Sequence, residues 1–189
     1  PGDCVYVDLN ADGEINSNDA TRDIGYTDMP EYTAGLNTGF SWKNFDFSMQ
    51  WTGAWNVDRM LDEFRRPLGD TNEKGLLLYQ YDTTWRSSAD TFTAKFPRTS
   101  SLHASNNYAG SDLYLINASY MRLKSVEIGY NFNFPFMKKL KMDNCRLYVN
   151  GYNLITITGF KWGDPESRQS SRPNYPLTRV FNIGLKLGF

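Results

Sequence analysis

Residues 34–52 read AGLNTGFSWKNFDFSMQWT, and this stretch decides the fold class. On both sides of Lys43-Asn44, apolar residues alternate with small or polar ones. A period of two is the signature of a β-strand, because successive side chains point to opposite faces. Two such runs joined by two turn residues predict an antiparallel hairpin. Its apolar face would carry Leu36, Phe40, Trp42, Phe45, Phe47, Met49 and Trp51.

The same alternation recurs in three later runs, at 113–134, 145–157 and 178–189. The first would be a single extended strand spanning roughly 65 Å, whereas ordinary strands have about 5–6 residues. It carries a conflict, since Arg122 and Lys124 share the parity of the apolar side chains that follow from Val126. If the chain is all-β, these runs supply about five strands.

Composition excludes several classes of protein. The 189 residues include 20 basic and 21 acidic side chains, a formal net charge of -1, which argues against nucleic-acid binding through bulk charge. No apolar run is long enough for a transmembrane helix. Aromatic residues nevertheless make up 15% of a chain whose mean hydropathy is -0.55. This combination is typical of strands with one apolar and one polar face.

Long and short connections separate the strands. Two long loops are predicted at 55–112 and 158–177, and short turns at 43–44 and 135–143. This pattern is typical of a transmembrane β-barrel, whose long loops lie outside the cell and whose short turns face the periplasm. A soluble β-sandwich is the alternative. Continuous aromatic faces, with Trp and Tyr near strand ends, favour the membrane protein.

Little in the sequence points to catalysis. His103 is the only histidine, and Cys4 and Cys145 are too few for a disulfide framework. Asp164 and Glu166 form a carboxylate pair, but residues two apart in a proline-containing loop predict a turn rather than glycosidase geometry. The chain is therefore expected not to be an enzyme.

Four aromatic residues fall in the predicted loops. They are Trp85, Tyr108, Trp162 and Tyr175. They could stack on sugar rings or bind a partner, and the alternative is that they pack within the loops themselves.

One motif suggests a metal site. Residues 8–19 have the length of an EF-hand calcium loop, and the first six of them match its pattern D-x-[DN]-x-[DN]-G. Gly13 would permit the sharp turn, and an Asp replaces the usual final Glu, as in dockerin-like loops. The alternative is a surface loop held by its own Asx turns. The candidate calcium ligands are Asp8, Asn10, Asp12, Glu14, Asn16 and Asp19.

Four segments, in order, resemble a known family. Residues 2–37 are similar to an Asp-rich segment followed by IG, P-x-Y and GLN. NASYMRLKSVEIGYNF (117–132) resembles an ASYxRLKxxxxGY strand. RLYVNGYNLITITGFKWGDPE (146–166) and YPLTRVFNIGLKLGF (175–189) resemble the strand-and-loop motif ending in DPE and the terminal motif YPxxRxxxxGxxxxF. The chain thus resembles the C-terminal portion of SusC/RagA-like TonB-dependent outer-membrane transporters of Bacteroidetes.

The resemblance implies an all-β fold: the C-terminal strands of a large antiparallel transmembrane β-barrel with long extracellular loops. Residues 1–32 would form an extracellular loop with the acidic segment, and 33–189 the barrel strands with loops 55–112 and 158–177. Cys4 would lie outside and Cys145 at the periplasmic end, too far apart for a disulfide. The same topology would place Arg122 and Lys124 above the membrane, which would remove the conflict with the apolar side chains that follow.

The resemblance also implies a function and partners. The parent protein would import a nutrient, an oligosaccharide or a peptide, across the Gram-negative outer membrane. Implied partners are the rest of the barrel and its plug, TonB through the missing N-terminal part, a SusD-like surface lipoprotein, membrane lipid and the substrate, but no nucleic acid. The alternative is a secreted, calcium-binding β-rich adhesion or carbohydrate-binding module, whose apolar strand faces would pack on each other.

Overall fold

A computed structural model describes residues 1–62, 64–65, 75, 77–99, 106–135, 141–167 and 177–189. The strands are β1 (Tyr32–Trp42), β2 (Phe45–Trp55), β3 (Asp58–Met60), β4 (Leu115–Asn117), β5 (Tyr120–Phe132), β6 (Asn144–Thr158) and β7 (Val180–Gly188). The described residues hold one short α-helix, α1 (Leu78–Thr83), and four single-turn 3₁₀ helices. No helix among them is long and apolar enough to cross a membrane.

Five strands form one antiparallel sheet in the order β1-β2-β5-β6-β7. The predicted hairpin is confirmed, because Trp42 pairs with Phe45 across the turn Lys43-Asn44. Lys43 has a φ of 54°, in the left-handed region that tight hairpin turns use. The predicted strands at 145–157 and 178–189 correspond to β6 and β7.

Register aligns the apolar residues of all five strands on one face. Residues directly opposite one another in an antiparallel pair lie on the same side of the sheet. One row therefore crosses the sheet as Phe40, Phe47, Ile128, Val149 and Ile183. The next row consists of Trp42, Phe45, Tyr130, Leu147 and Leu185.

The prediction of one strand over 113–134 was wrong. Tyr114 ends a 3₁₀ turn, β4 pairs with β3 in a separate two-stranded sheet, and the main-sheet strand β5 begins only at Tyr120. Between β4 and β5, the backbone N–H of Ala118 donates to the carbonyl of Val57 (2.8 Å). The chain stays mostly extended from β4 to β5. The alternation of side chains therefore does not reveal that one strand ends at Asn117 and another begins at Tyr120.

The face that regular alternation assigns to Arg122 was also wrong. Gln50 pairs with Ser125 but Trp51 pairs with Leu123, so Lys124 is an extra residue in β5. Such a bulge reverses which face the following side chains occupy. Leu123 therefore continues the apolar face, and Arg122, opposite Thr52 and Thr156, lies on the polar face.

The chain divides into two compact units, of which the five-stranded sheet belongs to one. The other contains Pro1–Thr27 and Asp58–Ile116, including much of the predicted loop 55–112. Its described core is aromatic: Phe96 lies 5.3 Å from Phe64, 6.0 Å from Tyr79 and 6.1 Å from Tyr114, measured between ring centroids. Residues 66–74 and 100–105, which include His103, lie outside the described residues.

Candidate functional site

The apolar face of the sheet is exposed in the part of the chain that the structure describes. Trp42 is 67% exposed, Phe181 69% and Ile183 78%. A contiguous apolar surface of this kind marks an interaction with another protein or a membrane. A soluble sandwich would cover it with a second sheet, and the only other sheet in the described residues is the short β3–β4 pair. The face therefore has the character of a contact surface.

The opposite face is polar and cross-linked by charge. Arg146 of β6 forms ion pairs with Asp46 of β2 and with Glu127 of β5, the latter at 2.8 Å. Asn150 donates to Glu127 and accepts from Asn182 at 2.9 Å. These contacts tie four of the five strands together through side chains. An apolar and a hydrogen-bonded polar face on one sheet are what a barrel wall between lipid and a wet interior requires.

A second charged cluster joins β5 to the segment after β6. Arg122, 2% exposed, contacts Asp164 at 2.5 Å and Glu166 at 2.8 Å, and its Nε donates to Thr156. Lys124 adds a longer contact to Glu166, at 3.3 Å. Asp164 and Glu166 do lie in a turn, as predicted, and both carboxylates bind one guanidinium rather than facing each other across an open site. The sequence did not predict this pairing, because it depends on the bulge.

The N-terminal segment is fixed by a buried amide. Asn107, fully buried, donates to the Asp3 carboxylate (2.7 Å) and accepts from the backbone N–H of Cys4 (2.7 Å). Asp3 also receives a two-pronged ion pair from Arg98. These hydrogen bonds hold the pKa of the Asp3 carboxyl below its usual value, chiefly through Arg98. Burial raises the pKa of the Cys4 thiol, and the charge of Asp3 raises it further.

Two of the predicted loop aromatics pack within their own units. The ring of Trp85 lies against Gly2, and Trp162 makes an edge contact with Phe160 at 5.8 Å. Tyr108 is partly buried, and Tyr175 lies outside the described residues. Both cysteines are free, as expected.

Side chains of the acidic loop bind its own backbone. Asp8 accepts the N–H groups of Ala11 and Gly13 at 2.7 and 2.8 Å, and Asp19 accepts those of Leu9 and Asn16. The N–H groups, Asn16 foremost, lower the pKa of the Asp19 carboxyl. Gly13 adopts a φ of +86° with open space around it.

The remaining candidate ligands extend the same pattern. Asn10 and Asp12 are joined by a side-chain hydrogen bond of 2.9 Å, and the N–H of Glu14 donates to Asp12. Asn16 caps the 3₁₀ turn Ser17–Asp19. The donors are oxygens of the kind calcium prefers, but no group of three acidic, His or Cys side chains among the described residues is arranged to hold a metal. Calcium binding stays a prediction.

Known proteins resemble this chain along its whole length. It is 30% identical over 206 aligned positions to TonB-dependent receptor P3 of Formosa agariphila and 27% identical over 191 to TonB-dependent receptor SusC of Bacteroides thetaiotaomicron. All of this chain is covered in both alignments, but only 19% and 18% of the relatives. The chain thus spans about a fifth of the length of these relatives. No protein-family model matches it.

Solved structures agree on the fold. The RagAB peptide importer in its closed-closed state superposes with a TM-score of 0.66 over 94% of this chain and 20% of that one, at 20% identity. The open-open state gives 0.65 over 87% of this chain and 18% of that one, at 22% identity. The fold is that of antiparallel strands from a β-barrel transporter, as predicted.

The two-faced sheet, the charged ties across its polar side and these alignments define a set of antiparallel strands from a barrel wall. The chain is homologous along its full length to SusC/RagA-like TonB-dependent receptors, and it corresponds to one segment of such a receptor. The resemblance inferred from the four sequence motifs is therefore confirmed. The relatives are named as receptors, which accords with the expectation that the chain is not an enzyme.

Proposed function

We propose that the chain forms part of the wall and outer loops of a TonB-dependent importer in the Gram-negative outer membrane. The observation that carries this proposal is the full-length similarity to TonB-dependent receptors, together with an exposed apolar face that spans all five strands. In this role the apolar face contacts lipid, and the polar face lines the interior next to the plug. The two outer edges of the sheet, on β1 and β7, pair with strands from the rest of the barrel, because an open edge is not viable in lipid.

The substrate and partners belong to the same proposal. The parent receptor takes up an oligosaccharide or a peptide, driven by TonB through a part of the protein that this chain does not contain. A SusD-like lipoprotein covers its extracellular side. This partner is supported by the kinship to SusC and by the superposition on RagAB, which is a peptide importer.

Membrane fractionation and uptake test the proposal. The full-length receptor is expected to sediment with outer membranes and to need detergent for extraction. Deletion of its gene should abolish growth on one class of oligosaccharide or peptide, and the intact gene should restore it. A receptor recovered in the soluble fraction would refute the proposal. Co-purification of a lipoprotein with the tagged receptor tests the partner separately.

Calcium at the acidic loop is a second, independent proposal, in which the ion would stiffen an extracellular loop. The oxygen-rich spacing and the turn at Gly13 support it. Calorimetry with calcium alone should detect binding to the wild-type receptor, and the double substitution of Asp8→Ala with Asp12→Ala should abolish it. Absence of binding at millimolar calcium in the wild type would leave the loop held by its Asx turns only.

A further inference from the structure

The buried ion pairs of Arg122 fix the position of the segment that follows β6. Residues 159–167, called the strap here, leave the sheet at the end of β6. Of its two carboxylates, Asp164 is the more buried, with a side chain 10% exposed against 40% for that of Glu166. Two hydrogen bonds stabilise the turn that carries Asp164. The backbone N–H of Glu166 donates to the Asp164 side chain and that of Ser167 to the Asp164 carbonyl, each at 3.0 Å.

Apolar contacts hold the same segment. Phe160 and Pro165 are buried, and Phe160 packs edge-on against Trp162. Thr158 donates its hydroxyl to the carbonyl of Ser119 and accepts from the N–H of Phe160 at 3.1 Å. The strap is therefore anchored at its start and at its end, and it has a defined conformation rather than that of a freely moving loop.

The side of the sheet on which the strap lies follows from the bulge. Arg122 stands opposite Thr52 and Thr156, on the polar face, and its guanidinium donates to Thr156. Because Asp164 and Glu166 both bind that guanidinium, residues 164–166 lie over the polar face as well. Without the extra Lys124, the regular alternation would carry Arg122 to the apolar face.

We propose that the strap folds into the mouth of the barrel, where it narrows the passage, and that Arg122 is the positioning residue that holds it there. The proposal rests on the proposed function, since only in a barrel wall is the polar face the inner one. The bulge and the ion pairs act together. The bulge places Arg122 on the inner face, and Asp164 and Glu166 of the strap bind its guanidinium there.

Selective labelling tests the inward position. In the full-length receptor with Cys4→Ser and Cys145→Ser, Lys161→Cys places a thiol on an exposed strap residue. A small maleimide and a bulky polyethylene-glycol maleimide are added from outside. The small reagent should label this thiol several-fold faster, because the bulky one enters the barrel mouth less readily. Phe92→Cys, at a 99% exposed side chain, is the reference site where the two reagents should differ little. An Arg122→Gln receptor should lose most of the difference at position 161.

Protease access gives a second readout, in which Glu166→Gln is a milder variant beside Arg122→Gln. Cleavage needs local opening of the chain, so trypsin should cut slowly after Lys161 in the wild type. It should cut several-fold faster in Arg122→Gln. It should cut only moderately faster in Glu166→Gln, which is the milder change because the Glu166 side chain is 40% exposed. Arg98→Gln breaks the ion pair between Arg98 and Asp3 in the other unit, so trypsin should cut this variant after Lys161 at the wild-type rate.

The outcomes separate this proposal from the proposed function. Equal labelling of position 161 by both reagents in a receptor that sediments with outer membranes would overturn the inward strap alone. Unchanged cleavage after Lys161 in Arg122→Gln would overturn the role of Arg122. A receptor that is absent from outer membranes would overturn the proposed function first.

Discussion

Glycines make room for the side chains that cross the polar face. In register, Tyr148 lies between Gly129 and Gly184. A Cβ at Gly184 would overlap the Tyr148 ring, and one at Gly129 would overlap the guanidinium of Arg146. Cross-strand cover of a glycine by an aromatic ring is a recognised stabilising device in sheets. The positions of these two glycines are thus set by their neighbours rather than by backbone conformation.

The substitution Gly184→Ala tests this packing. The added methyl group should displace the Tyr148 ring and destabilise the receptor by about 1–3 kcal/mol, the usual cost of overpacking. Gly159→Ala is the matched control, because nothing lies within 4 Å of a Cβ there. Thermal midpoints of the three purified receptors measure the effect, and equal midpoints for Gly184→Ala and wild type would contradict it.

Cys4 offers a pH-dependent readout of the N-terminal segment. The thiolate is the reactive form of cysteine, and burial and Asp3 raise the pKa of this thiol from the ordinary value of 9.0. Alkylation of Cys4 by iodoacetamide should therefore be slow at pH 8 and should rise through an inflection above pH 9. Asp3→Asn removes a nearby negative charge, so the inflection should move to lower pH. Mass spectrometry of the Cys4 peptide gives the rates, and an inflection that stays in place would exclude the effect of Asp3.

Single residues were the hardest features to predict. The sequence placed Arg122 on the wrong face because a one-residue bulge leaves no compositional signal, and every later side chain then follows the shifted parity. The pairing of Arg122 with Asp164 and Glu166 was missed for the same reason. Asx-rich composition did predict a loop built on residues 8–19, because those side chains act on their immediate neighbours.

At the scale of elements, the bulge in β5 is the decisive irregularity. Lys124 is extra relative to β2, and across from it β6 accommodates Asn153 and Leu154 between the pairs Leu123–Ile155 and Ser125–Tyr152. Asn153 adopts a φ of 54°, in the left-handed region. The extra residue in β5 and the two unpaired residues in β6 lie side by side. Together they allow the sheet to keep its apolar residues on one face on both sides of the bulge.

Deletion of Lys124 should have far more effect than its substitution. Without the extra residue, either Arg122 moves to the apolar face or the strand loses its pairing, so the receptor should fail to assemble. Lys124→Ala removes only a contact between side chains that are 41% and 40% exposed, worth at most about 1 kcal/mol. The fraction of receptor in folded form in outer membranes is the measurement. Normal assembly of the deletion variant would refute the claim that the bulge determines on which face of the sheet Arg122 lies.

Strand pattern explains which elements were predictable. The β1–β2 hairpin, β6 and β7 alternate without interruption, so their period identifies them. The break at Ala118 and Ser119 lies inside a run that still alternates, and it depends on contacts with Val57 and with Thr158 at the end of β6. Such tertiary contacts have no local sequence signal.

On the scale of the whole molecule, a lysine introduced on either face of the sheet tests whether that face contacts lipid or water. Ile183, near the middle of β7, is 78% exposed on the apolar face, and its neighbour Asn182 lies on the polar face. In lipid, Ile183→Lys should cost about 2–4 kcal/mol near the bilayer midplane, whereas Asn182→Lys should have a small effect. In water the first substitution would be close to neutral at so exposed a position. Membrane assembly of the two variants decides between these environments.

The hydrogen bond between Ala118 and Val57 has a consequence for how such receptors diversify. The roughly sixty residues between them leave the sheet and return at one point, so their length places no demand on the pairing of β2 with β5. Lengthening a connection whose ends already meet costs little, because closure entropy grows only slowly with length. In the proposed barrel, mutation can therefore change the length of this connection while the pairing of the strands is inherited unchanged.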